Sequence, residues 1–282
     1  MTHPPQVDPP PDVDPLAGPR LGQFGRGLAA AFAGFGWVWR HPDARGPIVV
    51  AIAIYCAVWL AALATAATWD APFARFAVDE IGPAGWQLVL TAALRGLAYV
   101  LFWVLAVLLA LLFALPVCAP VFAWVADRTE RRWFGGVPIA GASWRTLAVE
   151  MARGFGRALA LVALQVAGAA LLWLPGFVVG LAVPPLGAAW AFGIGGCWNA
   201  LWLALALGSF ALDNARLPLP EQLALVRRAA PLLAGFGVAA QVLGWVPFAV
   251  PFLVVAATLL LCRLHAHGHC RWPTRDTPAP AP

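Results

Sequence analysis

Apolar residues in this chain come in long unbroken runs, with charges gathered in short clusters between them. Residues 21–40 follow a different rule. Phe24, Leu28, Phe32, Phe35 and Trp39 recur every three or four positions and share one helical face, flanked by Arg26 and Arg40. That pattern predicts an amphipathic helix lying on a membrane surface. Residues 47–69 carry no charge, and about 20 apolar residues cross a hydrocarbon core. They predict a first transmembrane helix, with Pro47 in its first turn. A polar connection is expected at 70–85, around Asp70, Asp79 and Glu80, and then a second long helix over 86–115. Arg95 stands near the outer end of that helix, where its side chain can reach the headgroups. Pro116 and Pro120 end it, and a charged helical segment with Asp127, Arg128, Glu130, Arg131 and Arg132 follows.

The remainder reads as two apolar helical hairpins. The first has arms at 148–174 and 187–212, with a tip at 175–186; the second has arms at 221–245 and 248–265, turning near Pro247 and Pro251. Neither tip contains a charge. The uncharged stretch 158–174 reaches roughly 25 Å at ~1.5 Å per residue, less than a ~30 Å core. The expectation is therefore hairpins that enter the bilayer and return without fully crossing; four ordinary spanning helices are the other reading. Re-entrant tips need protein or a wet cavity around their backbone, which points to a homo-oligomer or an internal pathway. Gly154-Phe155-Gly156 before Trp173-Leu174-Pro175, and Gly235-Phe236-Gly237 before Trp245-Val246-Pro247, hint at a duplicated unit, although small residues for close helix approach explain the glycines equally well.

Composition agrees with the pattern. Hydrophobic residues make up 62% of the chain and charged ones 11%, against about 25% in soluble domains. The class predicted is thus an all-α integral membrane protein, a single membrane domain over 21–265 between disordered tails at 1–20 and 266–282. The net charge is +5, and every basic residue is Arg. The arginines cluster before the first span, after the second and between the hairpins, leaving only Arg75 in the 70–85 connection. The positive-inside rule then places the N-terminus in the cytoplasm. No basic run is interleaved with stacking aromatics on a soluble element, so nucleic acid is not an expected partner; the lipid bilayer is. No signal peptide is expected in residues 1–20, which lack a basic stretch leading into an apolar one.

Candidate chemistry is sparse. There is no strand-borne GxGxxG, P-loop or HExxH pattern, and neither an enzyme nor a cofactor is expected. The five cysteines form no CxxC pair and imply no disulfide framework. His265, His267, His269 and Cys270 could converge on a metal ion if extended, but they sit at a helix end beside Arg263 and Arg271, where a solvated tail is the default. The candidate anion site is Arg45 with Gly46, at the entry to the first span. A helix N-terminus offers backbone N–H groups and partial positive charge, and a guanidinium adds a bidentate clamp. The alternative is that Arg45 only sets topology, paired with Asp43. Gln165, Asn199 and Gln241 are uncharged polar groups in apolar arms; they either line a path or hydrogen-bond across helices.

Three stretches carry a family resemblance: Ala119-Pro120-Val121-Phe122 with the trailing acids Asp127 and Glu130; Leu212-Asp213 with Arg216; and Gly235-Phe236-Gly237 followed by Val246-Pro247, Pro251 and Ala256-Ala257-Thr258. In order and spacing the chain resembles the CysZ-type sulfate permeases, relatives of the eukaryotic etoposide-induced autophagy membrane proteins. The resemblance implies two long transmembrane helices, two half-crossing hairpins, an oligomer in a bacterial inner membrane, and sulfate uptake feeding cysteine synthesis. The family's glycine-leucine-arginine-arginine sulfate stretch aligns with Asp43-Ala44-Arg45-Gly46, where Arg45 matches. A permease or channel for sulfate or a similar oxyanion is the leading expectation; a non-transporting membrane scaffold of the same fold is the alternative.

Overall fold

A computed structural model describes residues 13–79, 117–134, 144–215 and 217–270, together with Gly96, Tyr99, Phe102, Trp103, Ala106 and Ala114. Its regular elements are all helical: α1 (Arg20–Arg40), α2 (Pro42–Asp79), α3 (Ala119–Phe134), α4 (Trp144–Ala182), α5 (Pro184–Trp190), a π-helical turn (Ala191–Gly195), α6 (Gly196–Asn214), α7 (Leu219–Arg228), α8 (Ala230–Gly244), a 3₁₀ turn (Pro247–Ala249) and α9 (Val250–Ala266). The chain divides into two compact units, Met1–Ile52 with Ala119–Pro282, and Ala53–Cys118.

The smaller unit holds most of α2. This helix starts at Pro42, five residues before the expected entry, and runs to Asp79 through half of the expected polar connection. At ~1.5 Å per residue its length is about 57 Å, far more than a ~30 Å hydrocarbon core. Its stretch Pro42–Trp69 is long and apolar enough to cross a membrane. Beyond that, charge is no obstacle to a helix in water, so nothing stops it at Asp70. The expected second span at 86–115 lies largely outside the described residues, as does Arg95. Gly96, Tyr99, Phe102, Trp103, Ala106, Ala114 and Val117 are helical, and Phe102 meets Trp103 edge-on at 5.8 Å.

In the larger unit α9 is the central post. Residues from Val250 to Leu264 are almost continuously buried, against α1, α3 and α6. The closest crossings are made by glycine. A Cβ at Gly27 of α1 would strike the Leu232 carbonyl of α8, and one at Gly34 the Phe252 carbonyl of α9. From the other side, Gly235 abuts the Phe24 carbonyl of α1, and Gly237 abuts the Ala200 carbonyl of α6. Helix α8 is thus wedged between α1 and α6. Phe35 stacks on Phe252 at 4.5 Å.

Helix α1 therefore does more than lie on a surface. It buries Gly27, Ala30, Ala31, Gly34, Trp37 and Val38, while Phe32 and Trp39 of the predicted aromatic stripe stay exposed. The stripe is shared: Phe35 stacks on α9 and Phe24 and Leu28 are half-buried, while Phe32 and Trp39 remain at the surface.

The first hairpin departs from expectation at its tip. Helix α4 continues through Pro175 to Ala182, and only Val183 interrupts the chain before α5. Proline removes one backbone donor, and neighbouring helices can restore partners. The carbonyl that Pro175 leaves without its amide is that of Leu171; Trp190 Nε1 donates to the next one, Leu172, at 2.8 Å and ties α5 to α4. With the extra turns, Leu159–Ala182 (24 residues) and Pro184–Asn214 (31 residues) reach about 36 and 46 Å and are each long enough to cross. Arm length thus gives no support to half-crossing in this hairpin. In the second, α7 and α8 meet at 93°, and α9 has 17 residues, about 26 Å.

Residues ahead of α1 fold back along it. Arg26 Nε donates to the Pro15 carbonyl at 3.1 Å and Gln23 Nε2 to that of Leu16 at 2.9 Å. Asp14 accepts the Leu16 amide at 2.8 Å and meets His269 Nε2 at 2.8 Å. The amide, and then His269, hold its carboxyl below the usual carboxylate range.

Candidate functional site

The corner between α1 and α2 is organised around the carbonyls that end α1. A helix leaves its last four carbonyls without internal partners and a partial negative charge at that end. Here donors reach three of them, on Trp37, Val38 and Trp39, and also the Gly36 carbonyl just before. Arg40 Nε reaches Gly36 at 3.2 Å; the His41 amide reaches Trp37 at 3.1 Å and Val38 at 3.3 Å; Arg45 Nη2 reaches Trp39 at 2.6 Å. His41 Nδ1 lies 2.8 Å from the Trp37 carbonyl, which requires a proton on that nitrogen, and its ring tilts over Trp37 at 4.3 Å. The Arg45 guanidinium carbon stands 5.4 Å from the centre of the Trp39 ring, within cation–π range.

Arg45 is exposed in the first turns of α2, and exposed Gly46 has open space where a side chain would be. Asp43 does not pair with Arg45. Its Oδ2 accepts from Arg132 Nη1 of α3 at 2.7 Å. Residues two apart on a helix point about 200° apart, so the carboxylate is turned away from Arg45 as well as neutralised. Nothing in the spacing of the sequence announces an ion pair across 89 positions. Arg132 and Trp39 are the members of this corner that sequence reasoning did not find.

Gln165, Asn199 and Gln241 are half-buried, on α4, α6 and α8 respectively. The Gln165 carbonyl lies 3.5 Å from Trp198 Nε1, next to Asn199. Gln241 is one turn beyond Gly237, whose neighbour is Ala200. Deeper between α6, α7, α8 and α9 there is a narrow cleft lined by apolar groups, including Leu212, Leu233, Phe236 and Leu261. A dianion finds no donor there.

The three family-like stretches also pack together. Phe122 is fully buried and meets Phe210 of α6 at 5.3 Å; Asn214 Nδ2 donates to the Ala123 carbonyl at 3.0 Å. Asp213 accepts from buried Gln222 at 3.3 Å. Arg216 lies outside the described residues. Asn214 and Gln222 were missed as ties between helices, although Asn214 directly follows the Leu-Asp pair. The C-terminal histidines each take a separate oxygen: His265 Nδ1 meets the Cys270 carbonyl and His267 Nδ1 that of Arg263, both at 2.9 Å, and His269 meets Asp14. Burial pushes the Cys270 thiol up to about 11, away from the thiolate a metal needs.

A helical fold with several apolar helices of spanning length defines a multi-pass membrane protein. The family described as Sulfate transporter CysZ/Etoposide-induced protein 2.4 matches residues 30–254, and the chain belongs to it. Among individual curated proteins none matches.

Proposed function

We propose that the protein is a passive permease or channel for sulfate or a similar oxyanion, acting in a bacterial inner membrane with its N-terminus in the cytoplasm and feeding sulfur assimilation. It carries out no enzymatic step and needs no cofactor. The observation that carries the reading is the α1–α2 corner: an exposed arginine held from behind, with the nearest carboxylate paired to Arg132 and turned aside. Arg45 and the backbone near Gly46 would capture the anion. Passage would follow through a homo-oligomer, past Gln165, Asn199 and Gln241. An oligomer path fits the apolar cleft between α6 and α9, which offers a dianion nothing within one copy.

That same cleft favours the second reading, a membrane scaffold that transports nothing. Purified protein in liposomes separates the two by uptake of radiolabelled sulfate. Transport predicts saturable uptake that falls about tenfold or more in Arg45→Ala, because a charge-assisted bidentate contact contributes roughly 1.5–3 kcal/mol. Uptake no greater than in empty liposomes favours the scaffold.

A further inference from the structure

We propose that Trp39 is the positioning residue of the capture corner, gripping Arg45 through both its backbone carbonyl and its indole face so that the guanidinium is ordered before an oxyanion arrives. This rests on the transport reading above. The two contacts are independent in kind: one is a hydrogen bond of 2.6 Å to the last turn of α1, the other a ring contact at 5.4 Å. Together they restrain a side chain that would otherwise sample many rotamers. A single carbonyl engages one nitrogen of a planar fork that carries five N–H donors, so the grip is compatible with an oxyanion on the same guanidinium. A neutral ring also leaves the positive charge uncancelled, which a carboxylate partner would not. Trp39 is 72% exposed, so burial in the core does not account for its place. Ordering Arg45 beforehand lowers the entropy that anion binding must supply.

The competing role for an exposed tryptophan at a helix end is a headgroup anchor. Concentration-dependent uptake of radiolabelled sulfate into proteoliposomes distinguishes them, with Trp39→Ala, Trp39→Phe, Arg45→Ala and the Trp39→Ala/Arg45→Ala double variant. Positioning predicts that Trp39→Ala raises the half-saturating concentration about two- to five-fold with little change in maximal rate. Trp39→Phe recovers part of the loss, since it keeps an aromatic face. In the Arg45→Ala background, Trp39→Ala has no further effect. An equal effect of Trp39→Ala with and without Arg45, or a fall in maximal rate alone, overturns the proposal in favour of anchoring. If Arg45→Ala reduces uptake and Trp39→Ala changes nothing, the positioning role alone is lost. If Arg45→Ala leaves uptake unchanged, the capture site itself is wrong.

Discussion

In the first hairpin, Gly168, Gly176 and Gly195 receive the rings of Trp198, Trp190 and Trp173; in the second, Gly235 and Gly237 receive the backbones of α1 and α6. The same residue type thus serves opposite ends. Glycine–tryptophan seats tie the arms of the first hairpin near its tip, which remains apolar and open: Phe177 is 68% exposed, Leu181 72% and Phe192 86%, whereas much of α6 from Ala200 to Leu212 is buried. Glycine–backbone contacts bring the second hairpin into the bundle, where Phe236 and α9 disappear from the surface. The faint duplication in sequence therefore does not describe a duplicated role. Gly156, the counterpart of Gly237, is exposed with open space around it. Small residues seat whatever the neighbouring helix presents, and the neighbour decides whether the contact ties a hairpin's own arms or joins it to another helix.

The contrast can be broken at its strongest point. Gly237→Leu forces a side chain into the backbone of α6, a contact that no rotamer change relieves. We expect loss of most folded protein, measured as a collapsed monodisperse peak in detergent size-exclusion chromatography, whereas Gly156→Leu elutes as the parent does. Equal damage at both positions would refute the difference between the hairpins. A smaller effect is expected from Gly168→Leu, which evicts Trp198 from its seat; overpacking of this kind costs about 1–3 kcal/mol. Hydrogen exchange should accelerate in 159–198 and remain slow in α8 and α9. Acceleration spread evenly over both hairpins would show that they unfold as one.

The smallest effect concerns the fold-back ahead of α1. The Asp14 carboxyl titrates below its ordinary 3.8, so its contribution is fully present above that value and fades as pH falls through the lowered one. Exchange at the Leu16 amide should rise in that acidic window, and Asp14→Asn should remove the pH dependence. Because Asp14 is near the surface, helices α8 and α9 should not respond.

Much of the architecture was legible in the sequence. The apolar run 47–69 announces a span because only a helix satisfies its own backbone in lipid, and the heptad-like aromatics of 21–40 announce α1. Prolines misled at two places. Pro47 reads as a helix start, yet α2 begins at Pro42; Pro175 reads as a helix end, yet α4 runs through it. In the second case α5 packs beside the proline-containing turn, with Trp190 donating to the Leu172 carbonyl, which local pattern cannot foresee. Of the candidate site, Arg45 stood out as a charge at a helix entry. Its holder and the partner of Asp43 did not, since one depends on the α1–α2 turn and the other on α3.

Composition and period along the chain were enough to identify a helical membrane protein, the segments apolar enough for lipid, and an arginine, Arg45, at the entry to the first of them. It took the assembled helices to show that Asp43 answers to Arg132, that Trp39 grips Arg45, and that the glycines of the two hairpins seat different things, rings in one and helix backbones in the other. Those outcomes depend on which helices come within reach of one another, and that is a property of the assembled bundle rather than of any one segment.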